Sequence, residues 1–317
     1  MDQRYGGTTA PAVYENGSGL AGTGGVPDAL RDEEHRRVVR RRRIDWALHL
    51  VFLASTLIGV LVLAALIVDI VMDGWVRFNP ELVTNNPSRR ASQAGMRSAV
   101  VGTICMMLLV APLAFVLGVG AAVYLEEYAG RGRLARLIQL NIRTLAGVPS
   151  IVYGILGLAV FVRWFALGRS LIAGALTMTL LVLPVIIVAA QEAIRAVPRS
   201  RRDASYALGA TKWQTVSRAV LPSAFPGILT GVILAMSRAV GETAPLIMIG
   251  ALTYVTFLPG KLTDPFTVMP IQIYNWIARA QPEFHELAAA GIMALLILLL
   301  LMNFAAVALR GKFRHRI

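Results

Sequence analysis

Residues 203–222 read DASYALGATKWQTVSRAVLP, a polar segment set between two long apolar runs. Ser200, just ahead of it, and Asp203 have the spacing of a capping box, so a helix is expected to start there. Gly209 ends that helix in the left-handed conformation that glycine tolerates. Thr211 with Gln214 repeats the capping pattern, and Leu221-Pro222 opens the next apolar run. The segment thus predicts a short helix, a tight glycine turn and a second helix. The first carries small side chains, Ala204, Ser205 and Ala207, beside Tyr206 and Leu208. Such a helix can lie close in a groove of a soluble partner. A solvated loop with incidental caps is the other reading of the same pattern.

The flanking sequence is membrane-like. The 317 residues are 56% hydrophobic and only 15% charged, with a mean hydropathy of +0.63, whereas soluble domains are usually about a quarter charged. Long uncharged runs occupy 50–68, 98–125, 144–162, 170–191 and 287–309, and a sixth, roughly 224–251, is interrupted only by one charge pair. About 20 apolar residues cross a bilayer core as a helix, and continuous runs, not alternating ones, exclude a barrel. The expectation is an all-α membrane protein of six transmembrane helices.

Arginine and lysine set the orientation. The segments 31–43, 126–143, 191–222 and 310–316 hold 21 basic residues, against eight in 73–97, 163–169 and 252–286. The positive-inside rule puts both termini and the 203–222 segment in the cytoplasm. The net charge of +13 arises from arginines that flank spans, which suits anionic headgroups better than nucleic acid. Four parts follow: a flexible basic cytoplasmic tail (1–43), a first transmembrane helix with its outer loop (44–93), a five-helix core (94–310) and a basic cytoplasmic end (311–317).

Catalysis has no foothold. The histidines His35, His49, His285 and His315 are scattered, Cys105 is the single cysteine, and neither Gly-Lys pair stands in a phosphate-binding loop. No nucleophile–base pairing or metal-ligand spacing appears. The expectation is a non-enzyme with no metal and no cofactor of its own; were it to drive active transport, the energy would come from a partner or an ion gradient.

Against this background RAVGETAP (238–245) stands out, because it puts Arg238 and Glu242 inside an apolar run. They lie one helical turn apart on one face, where each charge costs on the order of 3 kcal/mol by insertion scales. Mutual neutralisation is one reading. The other is that Arg238 faces an internal path and meets an oxyanion, which a guanidinium grips at two points and which it cannot escape by losing a proton. Glu242 would then hold the arginine when the path is empty, and Thr243 offers a hydroxyl nearby. Gly241 and Pro245 suggest a loosened turn, since proline cannot bond back to the carbonyl of residue 241, and such turns are tolerated where they line a cavity. Gly227 and Gly231 form a small-residue face that fits either a second membrane subunit or a helix of the same chain.

The 203–222 stretch resembles the EAA loop of ABC importer permeases. Asp203, Ala204 and Ser205 take the E-A-A places, Gly209 the glycine, and Leu221-Pro222 falls at the family spacing; Asp for Glu, Ser for Ala and Ala219 for Ile are departures. AAVYLEEYA (121–129), LAGVPSIVYGILGLAVF (145–161) and RAVGETAPLIMIGA (238–251) resemble the phosphate-specific permeases of the PstA type, over roughly 94–310. The resemblance implies a type I ABC importer permease fold whose EAA loop is a coupling helix seated in the ATP-hydrolysing subunit. It implies a second, homologous PstC-type permease, two copies of a PstB-type ATPase that hold ATP and magnesium, and an extracytoplasmic PstS-type phosphate-binding protein. It also implies a place in the bacterial cytoplasmic (inner) membrane. Phosphate comes from the resemblance; the residues alone give an anion with several oxygens and leave sulfate, molybdate or a proton-coupled anion transporter open.

Overall fold

The computed structural model describes residues 28–130, 132–251 and 254–314, all helix, turn or loop among the described residues. The chain divides into two compact units, Met1–Ala64 and Ala65–Ile317. The first consists, where described, of most of helix α1 (Asp28–Gly74). Residues 28–43, expected as part of a flexible tail, are helical in continuity with the apolar stretch; residues 28–58 contain neither Gly nor Pro, so nothing interrupts propagation. Residues 1–27 of the expected tail lie outside the described residues.

The second unit contains α2 (Pro80–Thr84), α3 (Arg97–Val123), α4 (Arg133–Leu145), α5 (Ser150–Gly157) and α6 (Leu171–Arg195). Then follow α7 (Arg199–Ala207), α8 (Lys212–Thr215), α9 (Leu221–Val240), α10 (Ala244–Ile249), α11 (Met269–Ile277) and α12 (Pro282–Arg314). Wider π-helical turns extend α3 through Tyr128 and α5 through Trp164, and join α8 to α9. Five helices are long and apolar enough to cross a membrane: Asp45–Arg77, Arg97–Tyr128, Leu171–Arg195, Lys212–Val240 and Pro282–Ala308. A sixth crossing exists only if Arg133–Leu145 and Ser150–Trp164 are taken together, and these two meet at 105°.

Two expected spans therefore differ in form. The 144–162 run is not one straight helix, because the chain turns through Ala146–Pro149 and proline disfavours helix in the residue before it. The 224–251 run breaks after Val240, so the charged pair sits at a helix end and not in mid-span. Two expected connections hold structure instead of loop. One is α11, which buries Trp276 and Ile271; the other is α4.

Helix α6 is the centre of the unit. Met178, Val182 and Ile186 join Met106, Val110 and Ala114 of α3 and Ala235, Met236 and Ala239 of α9 in one buried cluster. Ile187, Ala190 and Ile194 continue it towards the α6 C-terminus against Ala224 and Ile228. A third cluster packs Leu82, Met96, Trp276, Phe284 and Leu287 around α11 and the start of α12. Small residues let α9 approach α6: a Cβ on Gly231 would stand 2.4 Å from Ala189 Cβ, and one on Gly227 would stand 3.0 Å from Ala193 Cβ. The Gly227/Gly231 face is thus used within the chain.

Overpacking of that contact is expected to cost about 1–3 kcal/mol. Gly231→Ala should lower the Tm of the detergent-solubilised subunit, and adding Ala189→Gly should recover much of the loss. Equal Tm values for wild type and Gly231→Ala would mean the two helices are not held at this distance.

Candidate functional site

The 199–222 segment folds as a helical pair. Helix α7 begins at Arg199 behind Pro198, whose backbone is already extended (φ −56°, ψ 139°), so Ser200 lies inside the helix and caps nothing. The expected Ser200–Asp203 capping box is therefore not formed. Asp203, Ala204 and Ser205 lie in the second half of α7. Gly209 takes φ +80°, as expected of the residue that ends the helix. Thr211 and Gln214 form the second capping box: the Thr211 amide donates to Gln214 Oε1 at 2.9 Å and the Gln214 amide to Thr211 Oγ1 at 3.4 Å. Ser205 Oγ and Thr215 Oγ1, 2.9 Å apart, tie α7 to α8. Tyr206, Leu208 and Trp213 are exposed on this pair. Leu221 and Pro222 begin α9, where proline needs no amide partner.

Four charged residues that the sequence did not single out tie the helix ends together here, and two of them hold the pair to the bundle. Arg202 Nη2 donates to Glu127 Oε1 at 2.8 Å and to the Ile194 carbonyl at 3.0 Å, while Nη1 donates to the Val197 carbonyl at 2.8 Å. Arg202 thus joins α7 to the ends of α3 and α6. Arg195 donates through Nε and Nη2 to both oxygens of Glu126, with the Nε bond at 2.8 Å, and joins α6 to the same end of α3. Such charge-assisted contacts, two-pronged in the second case, fix geometry as well as supply energy. The partners are 69 and 75 residues apart in sequence. The one local signal was Glu126-Glu127 closing an apolar run beside a basic segment.

RAVGETAP begins near the C-terminal end of α9 (Leu221–Val240). Arg238 is in the last turn of α9 and donates through Nε to Glu242 Oε1 at 3.4 Å. This single long contact leaves both terminal nitrogens of the guanidinium without a partner among the described residues. Arg238 is 66% exposed on this chain and Glu242 only 17%, so the pair is a covered carboxylate beneath an open cation. Both line a narrow cleft of about 20 Å³, room for roughly one water, with Ala146, Val148, Tyr153 and Val185. Tyr153 donates its hydroxyl to the Leu145 carbonyl at 2.8 Å, so it fixes the wall of the cleft.

The other expected path residues do not line this cleft. Gly241 is right-handed (φ −85°, ψ −7°), a conformation open to any residue, so the break does not depend on glycine's freedom. Pro245 is buried in the first turn of α10, and Gly154 of α5 packs on its backbone: a Cβ there would stand 2.7 Å from Pro245 Cα. Thr243 precedes α10 and directs its hydroxyl to the Gly241 carbonyl at 3.5 Å. These three residues shape the break; Arg238 and Glu242 face the opening.

The fold has close counterparts among solved permeases. The chain matches a subunit of a bacterial alginate ABC transporter, solved with an alginate pentasaccharide-bound periplasmic protein, with a TM-score of 0.62. Sequence identity there is 15%, over 85% of this chain and 96% of that one. An inward-facing MetNI methionine ABC transporter gives 0.58 at 21% identity, over 69% and 95%. The fold is that of the type I ABC importer permeases. In sequence the chain is 32% identical to the probable ABC transporter permease protein YqgI of Bacillus subtilis over 77% of this chain and 87% of that protein. It is 36% identical to the phosphate transport system permease protein PstA 1 of Mycobacterium tuberculosis H37Rv over 68% and 70%. The PstA protein of Yersinia pestis is 30% identical over 91% and 97%. Residues 114–315 match the family of binding-protein-dependent transport system inner membrane components, and the chain belongs to that family.

Proposed function

We propose that this chain is one permease subunit of an ATP-driven, binding-protein-dependent importer of inorganic phosphate, with Arg238 as its anion contact. The observation that carries the anion site is the open Arg238 guanidinium, held at one nitrogen only, above the covered Glu242. Phosphate is favoured by the PstA-named relatives. A guanidinium cannot deprotonate and suits an oxyanion at two points, while the neighbouring carboxylate weakens the grip enough for release. A second, homologous permease of the PstC type would complete the path. Two PstB-type subunits would bind and hydrolyse ATP with magnesium, and a PstS-type protein would deliver phosphate from outside.

The α7–α8 pair is the surface we assign to the ATPase. Its exposed Tyr206, Leu208 and Trp213 supply the apolar contact, and the Gly209 turn sets the angle between the two helices. Arg202 and Glu127 carry movement of α7 into α3 and α6, as a strut that can pull as well as push. Both chain termini and α7–α8 are assigned to the cytoplasmic side of the inner membrane.

Three measurements test these assignments. For the anion site, Arg238→Gln and Arg238→Lys should abolish uptake of labelled phosphate while the subunit stays in the membrane at normal amounts. Arg238→Gln with Glu242→Gln should remain inactive, since replacing both members of a purely structural pair is close to neutral; substantial uptake by the double variant would remove Arg238 from the binding role. For coupling, Glu127→Arg should lower the phosphate moved per ATP hydrolysed in the reconstituted complex, and Glu127→Arg with Arg202→Glu should restore part of it. An unchanged ratio in the single variant would leave the pair as scaffolding. For topology, single cysteines at Ser200 and Gln281, in a Cys105→Ala background, should react with an impermeant thiol reagent from opposite faces of the membrane. Reaction from one face would overturn the assigned orientation.

A further inference from the structure

Helix α4, Arg133–Leu145, has 13 residues and buries none of them. At 3.6 residues per turn its side chains fall on three sides. Ala135, Gln139 and Ile142 are half-buried towards the protein, with Ile142 packed on the cluster at the α6 C-terminus. Leu134, Leu137, Ile138 and Leu145 share an arc of about 100°, and all four are exposed, Leu134 at 70% and Leu137 at 55%. Arg133, Arg136 and Arg143 occupy another exposed arc of roughly 80°, with Leu140 between them. Among the described residues none of these arginines has an ion-pair or hydrogen-bond partner, and α4 contains no acidic residue.

The polar groups on the apolar side are turned inward. Asn141 donates its amide to the Leu137 carbonyl of the same helix at 2.9 Å, and the Thr144 hydroxyl donates to the Asn141 carbonyl at 2.8 Å. This side is dressed for a poorly hydrating surface. The direction of the helix agrees. Helix α5 with its extension to Trp164 is the more apolar half of the bent pair, its one charge, Arg163, lying at the far end, and α4 stands at 105° to it. With Ser150–Trp164 upright in the bilayer, α4 runs nearly parallel to the membrane plane. Its first turn lies beside Glu126, Ala129 and Arg195, at the ends of α3 and α6 that carry the α7–α8 pair.

We infer that α4 is an in-plane interfacial helix whose apolar side sits in the headgroup–acyl boundary and whose three arginines bind anionic lipid headgroups. The amphipathic division, the basic polar side and the lack of any acidic residue are what such a helix needs, and long arginine stems let the charge reach the headgroups from a shallow position. Each arginine near an anionic surface strengthens association roughly fivefold, so three unpaired ones form a substantial anchor. The anchor would hold the turn at 146–149, one wall of the Arg238 cleft, at a fixed depth. The inference needs only a membrane-embedded chain and stands whatever the substrate is.

The test uses the assembled complex in proteoliposomes of phosphatidylcholine, with and without phosphatidylglycerol. Nitroxides are placed at Leu134→Cys and at Leu137→Cys in a Cys105→Ala background, and relaxation by oxygen is compared with relaxation by a water-soluble nickel chelate. Both labels should favour oxygen and move deeper as phosphatidylglycerol is added. In the Arg133→Gln, Arg136→Gln, Arg143→Gln variant the same shift should require several-fold more phosphatidylglycerol. Labels shielded from both relaxers would mean that a second permease covers this side, and labels favouring the nickel chelate would place it in water. A shift equal in both backgrounds would remove the arginines from headgroup binding. Any of these three results overturns the inference, and none bears on phosphate recognition.

Discussion

The close seat of α9 on α6 is the contact on which the rest of the site depends. Between helices in lipid there is no hydrophobic force to pull them together, so association relies on packing and on small residues that let backbones approach. Gly227 and Gly231 meet Ala193 and Ala189 at distances that leave no room for a further carbon. The helix so placed is continuous from Lys212 to Val240, about 43 Å at 1.5 Å per residue. One end is the capped α8 and the other carries Arg238. A rod of that length, locked against the central helix at its middle, joins the α7–α8 pair to the Arg238 cleft.

Charge is handled in two ways along this frame. Arg202 and Arg195 have full sets of partners, two of them backbone carbonyls at the end of α6 and its following turn. Truncating one side of such a pair is costly because the other is left uncompensated; these groups hold elements in register. Arg238 is different, since one long contact to Glu242 leaves the rest of its guanidinium open. A cation that is under-satisfied in its own chain, beside a break between helices, is disposed to meet something else. Contrast between the two kinds of arginine, more than the presence of either, singles out the Arg238 cleft.

The break that opens the cleft is itself a packing result. Pro245 ends any continuation of α9 and then serves as the first turn of α10, where it is buried against Gly154 of α5. The α5–α10 contact and the α6–α9 contact thus set the two walls between which Arg238 and Glu242 lie. The 146–149 turn, which brings α4 round to stand across α5, forms the adjoining wall.

Much of this chain is legible locally. The apolar runs, the basic connections between them, the left-handed Gly209 and the Thr211–Gln214 capping box all follow from residues within a turn or two of one another. Amphipathic α4 is also legible, because its leucines and arginines recur with helical period, although its interspersed polar and basic residues leave no long apolar run. The tertiary structure decided what depends on distant residues meeting. It paired Glu127 with Arg202 and Glu126 with Arg195, turned the Gly227/Gly231 face onto α6, moved the Arg238–Glu242 pair from mid-span to a helix end, and left the guanidinium open. Local sequence sets backbone preferences through sterics and hydrogen bonds of short range. Which side chain finds which partner depends on how whole helices cross, and that is fixed only when every small-residue contact is made together.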